Sequence, residues 1–324
     1  MGSLSATPTT LPLVTPTPLN TPRPIRIIVI GAGISGIAFA YKALSLTNVT
    51  FVIYEKNADV GGTWFESRYP GCSCDIPAHS YSYPWVSNPE WSHVYVGAEE
   101  ICEFYKARAR EYNVYVNAKF NHRVVSCEWD AEVGRWKVKA LDEKTGVVVE
   151  DEAEVVLNCA GVLNRWKWPE IQGLHSFEGT LAHTGNYPQD LDLTGKSVAV
   201  IGAGSSAIQV VPTIQPVVKS LTNFARSATW IAPQFVGRLA PDGRRTAYSE
   251  EQKRKFREDA EYLKQYRREV DHELNSRFPN FYKGSPRQKA SRELVEKSMR
   301  ENLAGMDPVL RESLIPDFDV GCRR

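Results

Sequence analysis

IIVIGAGISGIAFA, residues 27–40, decides the fold. A run of apolar, mostly β-branched residues leads into Gly31-Ala-Gly33-Ile-Ser-Gly36, and an apolar stretch follows. GxGxxG gains meaning in this context, after a strand and at the start of a helix. Gly31 permits the tight turn, Gly33 lets backbone approach a pyrophosphate, and Gly36 lets helix and strand pack closely. The helix start offers oriented N–H groups and partial positive charge to the phosphates. The pattern predicts strands over 26–30 and 49–54 with a helix over 34–46 between them. The second strand ends at Glu55, where a carboxylate can accept both ribose hydroxyls of an adenosine and would repel a 2′-phosphate.

The same device recurs as VAVIGAGSSAIQVV, residues 198–211. Here the strand expected over 219–225 ends in Arg226-Ser227 and carries no acid. A guanidinium beside a hydroxyl suits a 2′-phosphate through a charge-assisted contact. One loop therefore prefers an unphosphorylated adenosine and the other NADP. FAD and NADPH are the natural pair, since a hydride can pass between them.

Between the loops, residues 97–112 read as an amphipathic helix. RVVSCEW, RWKVKAL and VVVEDEAEVVLNC alternate with period two between Arg123 and Cys159, split by turn signals, and predict a β-meander. Residues 249–275 read as one charged helix with offset pairs Glu251/Lys255 and Arg257/Glu261. The expected fold class is α/β, with two Rossmann-like dinucleotide-binding units, three-layered with parallel sheets, and a β-meander. The expected boundaries are a disordered Pro/Thr-rich tail (1–24), an FAD domain with the meander (25–165), a linker (166–195) and an incomplete NADPH domain with a helical insertion (196–324).

The 324 residues are 42% hydrophobic and 24% charged, with a net charge of +1. That balance gives no reason to expect nucleic acid, and the apolar run at 25–40 is too broken by glycine to span a membrane. Six cysteines lie scattered with no secretory signal before them, which fits a reduced, cytoplasmic setting. Cys72, Cys74 and His79 lack a second ligand pair at metal-site spacing, so no metal is expected. Gly2 lacks the Ser or Thr at position six that myristoylation requires.

Further motifs follow Glu55: Gly61-Gly62-Thr63-Trp64, then Arg68-Tyr-Pro-Gly71-Cys-Ser-Cys-Asp75. After the meander comes Phe177-Glu-Gly179-Thr-Leu-Ala-His183-Thr184-Gly-Asn-Tyr187-Pro188. With these motifs in this order the chain resembles the class B flavoprotein monooxygenases, and most closely their Baeyer–Villiger branch, whose fingerprint is FxGxxxHTxxWP. Tyr187 stands where that branch has Trp, a feature closer to the flavin monooxygenases that oxidise nitrogen and sulfur.

The resemblance implies that Gly31, Gly33, Gly36 and Glu55 hold the FAD adenosine and pyrophosphate. Gly62, Thr63, Trp64, Asp75 and Tyr81 belong to the flavin side. Ser73, Gly202, Gly204, Ser205 and Ser206 belong to the NADP site, with Arg226, Ser227 and Arg323 on the 2′-phosphate. His183 lies in the linker and is expected to act structurally or as a hinge. The closing Gly321-Cys-Arg323-Arg324 resembles the family's GxKR segment, making Arg324 the catalytic cation beside a flavin-bound dioxygen adduct. Asp75 would orient it. The implied reaction is NADPH- and O2-dependent conversion of a ketone to an ester or lactone, with secondary-metabolite (polyketide) tailoring as its setting. The family's chain normally continues past this segment, so a truncated, weakly active or inactive fragment stays open beside heteroatom oxidation. A disulfide reductase is disfavoured, because Cys72 and Cys74 lie in a loop with one residue between them.

Overall fold

The computed structural model describes residues 18, 21–232, 236–243 and 246–321. Most of the N-terminal tail, and Cys322, Arg323 and Arg324, lie outside the described residues.

Strand β1 (Ile25–Ile30) is an inner strand of a four-stranded parallel sheet. Helix α1 (Ile34–Ala43) returns the chain to β2 (Val49–Tyr54), which pairs with β1 in the register Ile27↔Phe51 and Val29↔Ile53. Alternate residues then serve opposite faces. Ile27, Val29 and Ile53 pack with Ile37 and Ala40 of α1 and with Ile101, Phe104 and Tyr105 of α3 (Ala98–Glu111). Between β2 and α3 lies the single turn α2 (Thr63–Glu66); α4 (Val114–Asn117) and the edge strand β3 (Ala118–Lys119) follow α3. Ile28, Val52 and Tyr54 face the other way, onto Val138, Ala140 and Ala153. Burial on both faces is why β1 reads as an uninterrupted apolar run.

The residues on that second face come from β4 (His122–Asp130), β5 (Arg135–Asp142) and β6 (Val148–Ala153), an antiparallel meander. Its third expected segment is not one strand. The chain turns at Glu154, and β7 (Val155–Asn158) leaves the meander to pair parallel with β1. The turn is braced where the Glu154 carboxylate accepts the Arg26 N–H at 2.8 Å, while the Arg26 guanidinium reaches Asp151 at 2.7 Å. A period-two pattern continues through such a handover, so it gave no warning.

The second unit comprises β8 (Ser197–Ile201), α5 (Ala207–Ile214) and β9 (Ser220–Phe224), with the strands parallel. The expected helix over 249–275 is two helices, α6 (Glu250–Glu258) and α7 (Ala260–Asn275). Asp259 between them is extended, and its carboxylate accepts the Tyr262 N–H, capping α7. The break removes the offset pair Arg257/Glu261: Arg257 reaches Glu90 and Glu261 pairs with Lys264. Nor is the outward face the whole story, because Phe256, Leu263 and Val270 are buried. Helices α8 (Pro286–Asn302) and α9 (Pro308–Leu314) complete the insertion. Among the described residues no helix is long and apolar enough to cross a membrane.

Candidate nucleotide and flavin sites

At the first loop the backbone does what the glycines were chosen for. Gly31 has φ +100° and its Cβ position lies 2.8 Å from the carbonyl of Cys159, the residue after β7. A Cβ on Gly36 would lie 2.1 Å from the Gly31 carbonyl. Gly33 sits opposite Gly62, 3.5 Å from Cβ position to Cα, with no side chain between the two loops. Gly33 is also the N-cap of α1 and has no side chain with which to cap it. By contrast α6, α7, α8 and α9 are all capped by Ser or Asp side chains. The first-turn N–H groups of α1, like those of α3 behind Gly97, thus have no side-chain cap.

Glu55 is buried, and its carboxylate accepts the Ala32 N–H at 2.7 Å and the Asn57 N–H at 2.8 Å. Burial pushes its pKa above the usual carboxylate range, and the two N–H bonds oppose the rise. Each oxygen keeps a second acceptor position, so Glu55 can brace the glycine loop and still accept hydroxyls. Trp64 is buried and its indole donates to the Tyr81 hydroxyl at 3.2 Å, whereas Thr63 is exposed. Burial raises the Tyr81 pKa.

A cavity of about 1370 Å³ lies at the second loop. Its walls bring together Gly202, Gly204, Arg226 and Ser227 with Asp75 from the flavin-side motif. Ser73, Ser205 and Ser206 do not line it. Ser73 instead receives Gln209, whose amide donates to its carbonyl at 2.9 Å. Gln209 also accepts the Tyr69 hydroxyl at 2.8 Å. Sequence reasoning missed this residue, because a polar position in a short helix gives no sign of partners some 140 residues away.

Trp230 was missed too. It donates to the Phe318 carbonyl at 2.9 Å, joining the Arg226-Ser227 side of the cavity to the segment that carries Gly321. Gly321 lines the cavity with φ +123°, and Arg323 and Arg324 lie outside the described residues.

In the linker, the His183 ring stacks on Trp166 at 4.8 Å and its Nδ1 accepts the Gly185 N–H at 3.0 Å. Tyr187 has a buried hydroxyl with no hydrogen-bond partner among the described residues.

The fold is α/β and Rossmann-like, with a glycine loop after β1 and another after β8, and the cavity at the second loop is lined from the first unit by Asp75 and Ile76. A family profile for NAD(P)-binding Rossmann-like domains matches residues 29–97. An FAD-binding monooxygenase, tazF, of Aspergillus terreus is 41% identical over 95% of this chain and 55% of its own length. A Baeyer–Villiger monooxygenase of Streptomyces coelicolor is 34% identical over 93% of this chain and 54% of its own. A cyclohexanone monooxygenase mutant from Rhodococcus sp. Phi1, bound to NADP+, shares the fold at TM-score 0.75 and 24% identity, over 92% of this chain and 61% of that one. The chain is homologous to FAD-binding and Baeyer–Villiger monooxygenases, and it spans about half the length of the curated relatives it matches.

Proposed function

We propose that this chain binds FAD and NADPH and serves an O2-using monooxygenase reaction of the Baeyer–Villiger type, converting a ketone to an ester or lactone. Its proposed setting is the cytoplasm, in the tailoring of secondary metabolites. One observation carries the reading: a single cavity gathers the second glycine loop, a guanidinium, a hydroxyl and the Asp75 carboxylate. The homology to FAD-binding monooxygenases supports it.

The residues present fit both cofactors. At the first unit, the uncapped start of α1 and the side-chain-free gap between Gly33 and Gly62 leave space and donors for a pyrophosphate. Glu55 accepts ribose hydroxyls there, and Trp64 and Tyr81 form an apolar, hydrogen-bonded wall. At the second, α5 starts at Ser206 without a side-chain cap. Arg226 and Ser227 donate to a 2′-phosphate. FAD held there would supply the redox chemistry, with NADPH as the hydride source and O2 as the oxidant. The protein's part is electrostatic: a fixed cation lowers the cost of an oxyanion where water is scarce. Arg324 is the residue proposed for that charge, with Asp75 to orient it.

The test is to express the chain, reconstitute it with FAD, and follow NADPH loss and product formation with a panel of ketones. Flavin uptake with ester or lactone formation supports the reading. Folded protein that takes up no flavin overturns it. Sulfide oxidation without ester formation would assign the chain to the heteroatom chemistry that Tyr187 suggests.

A further inference from the structure

One buried amide sits where α5 meets the Tyr69–Asp75 turn. Gln209 occupies the first turn of α5, directly after the glycine loop, and is 9% exposed. Buried amides in folded proteins have their hydrogen bonds filled. Here Nε2 donates to the Ser73 carbonyl at 2.9 Å and Oε1 accepts from the Tyr69 hydroxyl at 2.8 Å. The opposite amide orientation would set oxygen against the Ser73 carbonyl, so the bonding fixes which way the amide points. The turn itself touches the helix: a Cβ on Gly71 would lie 2.7 Å from the Gln209 carbonyl and 2.2 Å from Thr213 Oγ1. The far side of that turn is fastened to the first unit, where Ala98 N–H donates to the Cys72 carbonyl at 3.0 Å and Cys74 N–H to Val96 at 3.2 Å.

We infer that Gln209 is a positioning residue that bolts the second nucleotide loop to the Tyr69–Asp75 turn, and so sets the spacing across which NADPH and flavin meet. The identity of the two ligands rests on the proposed function; the bolt itself does not. Asp75 follows Cys74 directly and lines the same cavity as Gly202 and Gly204. A slack bolt lets α5 and its loop shift against Asp75 while each unit keeps its own binding groups. Binding then survives and transfer suffers, because a hydride leaves NADPH, giving NADP+, only when it lies at contact distance from the flavin it reduces. Displacement of about 1 Å is enough to slow such a step roughly 100-fold.

The test compares Gln209→Met, which keeps length and volume without the hydrogen bonds, with Tyr69→Phe, which removes the hydroxyl that donates to the amide oxygen. In FAD-loaded protein without oxygen, Gln209→Met is expected to lower the rate of flavin reduction at saturating NADPH by roughly 10- to 100-fold. Flavin content, melting temperature and NADP+ affinity stay within about threefold or a few degrees of wild type. Tyr69→Phe is expected to fall between the two. Independently, amide exchange in ligand-free Gln209→Met is expected to quicken together over 70–75 and 207–214, with 25–54 unchanged. An unchanged reduction rate and unchanged exchange overturn the inference. So does a parallel loss of melting temperature, NADP+ affinity and rate, which is what a merely structural residue gives. Should wild-type protein take up neither FAD nor NADP+, the functional reading fails, and the exchange experiment alone decides the bolt.

Discussion

Two glycines of one loop differ in what they protect. At Gly36 a methyl group would lie 2.1 Å from the Gly31 carbonyl, a backbone atom that cannot swing aside. Gly36→Ala must push α1 off β1, which overpacking data put at about 2 to 3 kcal/mol. At Gly33 the same methyl would meet only Gly62, at 3.5 Å, an ordinary contact. Gly33→Ala is therefore expected to unfold at nearly the wild-type denaturant midpoint, yet to take up FAD at least tenfold more weakly, because its methyl enters the gap proposed for pyrophosphate. Urea melts of both variants without cofactor, followed by FAD titration, check the contrast. Equal destabilisation would refute it. Glu55 has a comparable double character. Its carboxylate is spent partly on the Ala32 and Asn57 N–H groups, so the acid read from sequence as a ribose ligand is also a brace for the loop it follows.

Helices α6 and α7 illustrate how elements are decided by their neighbours. Phe256 of α6 and Tyr266 of α7, with Tyr248 just before α6, surround His79 at ring-centre distances of 5.1, 5.4 and 5.4 Å. Neither ring nitrogen of His79 has a hydrogen-bond partner among the described residues. Burial, and secondarily the Arg267 charge, hold its pKa down at about 3 against an ordinary 6.5. A base whose folded pKa is depressed is bound neutral, so its contribution is complete above pH 6.5 and is lost as the unfolded chain gains the proton below that. Stability is expected to fall by roughly 1.4 kcal/mol per pH unit between about pH 6 and pH 4 from this residue alone. His79→Phe should flatten that limb of the stability–pH curve relative to wild type, as read by denaturant midpoints across the range. A limb of unchanged slope would show that other groups set it. The break at Asp259 beside this box was not legible, because Asp sits quietly inside a charged helical run until a cap for Tyr262 N–H is needed. The starts of α8 and α9 were missed, although Ser285-Pro286 with Gln288, and Asp307-Pro308, carry ordinary cap signals. The β1–loop–α1–β2 unit was readable because glycine spacing, apolar runs and the acid at 55 agree. Gln209 was not, since its partners are set by tertiary packing.

At the scale of the molecule, two nucleotide loops of different preference should behave as separable ligand sites on one fold. A ligand that binds only the folded state at 100 times its dissociation constant adds about 2.7 kcal/mol, which for a chain of 324 residues raises the melting temperature by roughly 4 °C. FAD and NADP+ are each expected to produce such a shift, and together to produce at least the sum. Arg226 is exposed and lines the same cavity as Asp75, so a 2′-phosphate bound as proposed would be held by a solvent-accessible, charge-assisted contact. Losing it should weaken NADP+ binding roughly 10- to 100-fold. With Arg226→Gln, at the same NADP+ concentration, the thermal shift should drop to between about half and about a seventh, while the FAD shift stays intact. NAD+, lacking the 2′-phosphate, should produce a shift that the substitution does not change. Raising salt from about 0.05 to 0.5 M should mimic the substitution for NADP+ and leave FAD nearly unaffected, because screening acts on exposed charge. If Arg226→Gln reduced the FAD shift equally, the two loops would be one coupled site, and the assignment of different cofactors to them would fail.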